Sequence, residues 1–301
     1  MNLTFAIQAD SPPVVAILPG LEVLVSVRLG CNVSPLISLW ERLFQEVKAQ
    51  LTYTYDNTSK TATPLHQRSY RDIEQAFKTV CQGYQTEHPI PWATYCFTDA
   101  PEGIAHYSCT CALGWITSAN QDRGLSLRLT VPPHYPWAQL THLGYELARD
   151  WPQLWRWITV GYRFVLVPWY SPQLEDAFLV LYHRSKRFVA VDIGDYFGLL
   201  ASYWQNHLRT INYLTIISDD LLNQCHIDPL APQALFQKIP IENHMAFQIG
   251  EKPILGDINR REQLSGYQAV NQMLKPICTS ESVALPPWNL ETTMAWLNRF
   301  D

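Results

Sequence analysis

Apolar and polar positions alternate along several stretches of the chain. Val23, Val25, Val27 and Leu29 form one such series and Leu125, Leu127, Leu129 and Val131 another, with Ser26, Arg28, Ser126, Arg128 and Thr130 among the positions between. A period of two places one edge of each series in a core and the other outside it, so both predict half-buried strands of an antiparallel type. Trp92 to Phe97, Ala105 to Ala112, Ile158 to Val167, Ile211 to Ile217 and Met245 to Ile249 predict further strands from their β-branched and aromatic content.

Other stretches repeat at helical spacing. Ser34 followed by Pro35 opens a helix whose Leu36, Leu39, Trp40, Leu43, Phe44 and Val47 share one face. Ser69 and Asp72 form a capping-box-like start for Tyr70, Ile73, Phe77 and Val80, and Ser171-Pro172 leads into Leu174, Phe178 and Leu181. Leu140, Leu143 and Leu147 predict another helix. Leu264, Tyr267, Val270 and Leu274 run until Pro276, and Asn289 caps a last helix carrying Leu290, Met294 and Leu297. Strands and helices intermix without a βαβ rhythm, so the expected fold class is α+β: a mixed, largely antiparallel sheet with helices packed on it. A single domain over residues 1–301 is expected. Pro132, Pro133 and Pro136 mark the place where it would divide into lobes 1–135 and 136–301.

Composition narrows the function. With 47% hydrophobic and 16% charged residues the chain can bury a core. The formal charge of −5 and the lack of basic runs argue against direct nucleic-acid binding. Residues 1–169 hold 13 acids and 12 bases, residues 170–301 hold 14 and 10, so the acidic excess sits in the second part. No signal-like N-terminus and no apolar run of membrane-spanning length is found, and a cytoplasmic protein with no membrane partner is expected. The seven cysteines are odd in number and scattered, which predicts reduced, mostly buried thiols.

No G-x-S-x-G, H-E-x-x-H, Walker loop, G-x-G-x-x-G or C-x-x-C occurs, so neither a catalytic site nor a cofactor is expected. Cys109 and Cys111 would share a strand face with Tyr107 but lack two further ligands for zinc, and no metal is expected. Asp219 and Asp220 follow Ser218 where acids favour a helix start, and Gly256-Asp257 reads as a turn into a capped segment.

The C-terminal third carries a resemblance. Ile211-Asn212-Tyr213-Leu214-Thr215, Phe247-Gln248-Ile249-Gly250, Pro253 to Asn259, Tyr267-Gln268-Ala269-Val270, Leu274-Lys275-Pro276 and Ala295 to Asp301 together resemble the type VI immunity family, first catalogued as a domain of unknown function. The resemblance implies a cytoplasmic immunity protein that binds and neutralises a cognate type VI secretion effector. It implies a nuclease toxin of restriction-endonuclease-like fold as partner, with active site or nucleic-acid groove occluded stoichiometrically. A hydrolase-like antidote and a structural adaptor of the secretion apparatus are the competing readings.

A nuclease carries a basic groove, so acidic loop positions beside aromatic anchors are the expected contacts. Two groups combine these features: Trp169 and Tyr170 with Glu175 and Asp176, and Asp192 and Asp195 with Tyr196.

Overall fold

The computed structural model describes residues 3–8, 10–28, 32, 34–56, 60–65, 75, 93–113, 122–193, 206–225, 227, 234–279, 284 and 288–301. Eleven strands among them form one sheet. In chain order they are β1 (Thr4–Phe5), β2 (Val15–Arg28), β3 (Tyr53–Asp56), β4 (Thr63–Pro64), β5 (Ala93–Thr98), β6 (Ser108–Leu113), β7 (Asp122–Thr130), β8 (Trp155–Leu166), β9 (Leu214–Ile217), β10 (Gln237–Ile241) and β11 (His244–Gln248). Six α-helices are delimited among the described residues: α1 (Ser34–Val47), α2 (Trp137–Asp150), α3 (Leu174–Arg187), α4 (Asp219–Leu222), α5 (Ser265–Leu274) and α6 (Leu290–Leu297).

The spatial order is β10-β11-β9-β8-β2-β7-β6-β5-β3-β4, with β1 paired to the start of β2. Every ladder is antiparallel. The fold is α+β as expected, and its sheet is more uniformly antiparallel than the sequence suggested. β8 pairs with β2 from Val15↔Leu166 onward, so the sheet runs unbroken across the proline cluster at 132–136. Of the helix predicted from Ser69, only Gln75 is among the described residues, and it is helical.

The pleat explains which side chains go where, because residues two apart share a face. Leu21, Val23, Val25, Val27, Leu125, Leu127 and Leu129 pack under α1 and α2 with Cys109, Cys111 and Phe97. Trp40 of α1 is fully buried there, stacked on Phe44 with ring centroids 5.0 Å apart. The two thiols are core residues, and burial pushes the Cys109 thiol up. A second apolar cluster joins α3, α5 and α6 to Ile17, Trp157, Phe164, Ile217 and Phe247.

Helix ends follow their local chemistry. The Asn289 side chain accepts from the Thr292 N–H at 2.8 Å and caps α6 as predicted. At α1 the Asn32 side chain takes the Ser34 N–H at 3.0 Å, so the cap lies two residues earlier than expected. Pro276 ends α5 within the 3₁₀ turn Lys275–Ile277.

The pleat face opposite α1 is polar along one line. The pairings Tyr55↔Cys96, Cys96↔Thr110, Thr110↔Arg128, Arg128↔Glu22, Glu22↔Thr159 and Thr159↔Thr215 set seven polar or thiol side chains in register across the sheet. Such a row inside a protein demands internal partners, since a buried charge is tolerated only when paired and hydrogen-bonded.

Candidate functional site

The row finds its partners from elements on that face. Glu22 and Asp192 are fully buried, and Arg209 joins them with Nη2 2.6 Å from an oxygen of each. Arg163 adds 2.7 Å to Glu22 and 3.4 Å to Asp192, Ser126 donates to Glu22 at 2.6 Å, and Arg128 stands 3.6 Å away. Burial alone would raise both carboxyls. For Glu22 the guanidiniums of Arg209, Arg163 and Arg128 outweigh it and hold the group well below the usual carboxylate range, and Asp192 is lowered in the same way by Arg209 and Arg163. Gly20 makes room for this arrangement: a Cβ there would lie 2.6 Å from Cδ of Arg163, which runs across it.

Asp192 is also tied by its backbone. Its N–H donates to Tyr162 O and its carbonyl accepts from Phe164 N–H, both at 2.9 Å, which draws the chain after α3 back against β8. The expectation that Asp192 forms part of an acidic partner surface is therefore corrected. Its carboxylate is spent on Arg209 and Arg163 inside the protein, and solvent does not reach it. Asp195 and Tyr196 lie outside the described residues.

The other expected group occupies the turn into α3. Trp169 is half-buried and donates through Nε1 to Asp56 O at 3.0 Å, while half-buried Tyr170 donates its hydroxyl to Pro101 O at 2.5 Å. Tyr170 also meets Tyr55 edge to face with centroids 5.3 Å apart. These contacts pin the turn to β3 and to the loop after β5. Ser171 Oγ accepts from the Gln173 N–H at 3.2 Å and α3 begins at Leu174.

Glu175 and Asp176 occupy the first turn of α3 and are exposed. The helix buries Ala177, Val180 and Leu181. Leu179, 56% exposed, and exposed His183 follow Glu175 at four-residue intervals on the solvent face. The sequence reading named the two carboxylates but not Leu179, because an isolated apolar residue in an amphipathic helix shows its exposure only after the packing face is known. Arg163 and Arg209 were missed too. The signal for Arg163 was a charge at an interior strand position, between Tyr162 and Phe164.

Among the described residues no three His, Cys, Asp or Glu side chains are grouped to hold a metal ion, and no helix is long and apolar enough to cross a membrane.

The fold has a solved counterpart. The Pseudomonas aeruginosa T6SS protein PA0821 superposes with a TM-score of 0.71 over 99% of this chain and 87% of that one, at 17% identity, which establishes likeness of fold. No curated protein gives a significant sequence match. A family model described as TsiV, type VI immunity for VRR-NUC, matches residues 37–300, nearly the whole chain. With that match, the chain belongs to the TsiV family of type VI immunity proteins.

Proposed function

We propose that this chain neutralises a VRR-NUC nuclease effector in the cytoplasm by stoichiometric binding, without chemistry of its own, and that the start of α3 meets the effector. The observation that carries this reading is the pairing of exposed Glu175 and Asp176 with exposed Leu179 in α3, just after a turn pinned by Trp169 and Tyr170. A nuclease must display cations where it holds phosphates, and carboxylates facing them speed encounter and set register. A neighbouring apolar side chain supplies contact area that water screening does not weaken. Because the turn is held by backbone acceptors, little ordering cost is left for the moment of binding.

Titration of a purified VRR-NUC effector with this chain tests the reading. Inhibition should saturate at equimolar protein, with co-elution of the two. The double substitution Glu175→Lys and Asp176→Lys should weaken inhibition by roughly tenfold to a hundredfold, with native circular dichroism, chiefly through slower and more salt-sensitive association. Unchanged inhibition by that variant would move the interface elsewhere. Protection of cells without a complex at micromolar concentration would refute stoichiometric binding and favour the hydrolase-like reading.

A further inference from the structure

A cavity of about 130 Å³ opens beside the polar row. Its sheet side carries Tyr55, Cys96, Thr110 and Arg128, and α3 contributes Leu174 and Phe178. One wall is thus cationic and hydrogen-bonding, the other apolar.

Arg128 is the arginine of the ion cluster that stands farthest from Glu22. Arg209 and Arg163 each bring a nitrogen to within 2.7 Å of Glu22, whereas the nearest approach of Arg128 to that carboxylate is 3.6 Å. Its Nε donates to Ser126 Oγ at 3.0 Å, and its buried Nη2 has no hydrogen-bond partner among the described residues. Three guanidiniums therefore share two carboxylates, and a guanidinium cannot shed its proton to escape the cost. A weakly paired cation with an unpartnered donor beside a cavity is stabilised most by an anion placed there.

We infer that this cavity binds a small monocarboxylate with a short apolar tail. The carboxylate sits on the Arg128 guanidinium, because the Thr110 hydroxyl beside it already donates to Cys96 Sγ at 3.3 Å. The tail lies against Leu174 and Phe178. A phosphate would turn charged oxygens toward those two side chains, whereas a carboxylate confines its charge to one end. The volume suits such a ligand, since a cavity of roughly 150 Å³ accommodates a benzene ring.

Propionate and butyrate, with inorganic phosphate and neutral butanol as controls, are the probes for calorimetry and thermal shift on the full chain. Saturable binding of a carboxylate is expected, with at least about a tenfold loss in Arg128→Gln. Leu174→Trp, which fills the apolar end and leaves every member of the ion cluster in place, should abolish it and guards against misfolding of the arginine variant. Absence of saturable binding at roughly 10 mM probe, retention of binding in folded Leu174→Trp, or binding of phosphate in preference to both carboxylates would overturn the inference.

Discussion

Arg209 is the residue whose loss tests the buried cluster most directly. Substitution by Met keeps much of the side-chain length and removes the charge that contacts Glu22 and Asp192 at 2.6 Å each. Both carboxylates are fully buried, so neither can turn to water. Arg163 remains within 2.7 Å of Glu22 but only 3.4 Å from Asp192, which becomes the worse-served group. Removing one partner from a buried ion pair costs about 3–5 kcal/mol. For a chain of 301 residues, an unfolding entropy of about 2.1 cal/mol/K per residue converts this to a fall in Tm of roughly 5–8 °C. Scanning calorimetry on the wild type and on Arg209→Met reads that shift. Adding Asp192→Asn to the Met variant should recover part of it, because the stranded charge is then gone while its backbone pairing to β8 is unchanged. A Tm within about 1 °C of wild type for Arg209→Met would refute the assignment of these groups as a mutually dependent cluster.

Two further outcomes follow from the same structure. Glu22 and Asp192 have native pKa values below their unfolded ones, so their contribution is complete above about pH 4–5 and is lost as pH falls through the lowered native values; urea midpoints between pH 3 and 6 should fall steeply on the acid side for wild type and less steeply for Glu22→Gln, and equal slopes would contradict the sign. Gly256 has φ +65°, and a Cβ there would come within 2.6 Å of Ala190 N, so Gly256→Ala should lose about 1–3 kcal/mol in denaturant titration, a loss under about 0.5 kcal/mol being the contrary result.

The amino-acid pattern by itself determined the local elements whose burial is periodic. Leu36 to Val47 repeats at helical spacing and folds as α1, and the alternating Val23, Val25 and Val27 lie within β2, because one-sided burial imposes the period directly. It also carried the family, through short segments spread from Ile211 to Asp301. The alternation shows β2 only from Val23, whereas the strand begins at Val15 and passes through Pro19, whose carbonyl accepts from Val131 N–H at 3.1 Å just beyond the end of β7. A proline costs little where the neighbouring strand is already ending, and that position is visible only once the strands are paired. The edge strand β10 was missed because its Gln-Lys-Ile-Pro-Ile is mostly unburied and lacks a one-sided pattern.

Tertiary structure alone decided which charges are interior. Asp192 and Glu175 look alike along the chain, each an acid near a turn with aromatic neighbours. Their fates differ because strand register brings Arg163 and Glu22 onto one sheet face, and the chain after α3 folds back to place Asp192 beside them, while the buried face of α3 leaves Glu175 pointing outward. Register and packing join residues that are 17 to 187 positions apart, as in Arg209 with Asp192 and with Glu22, and no local pattern encodes such separations.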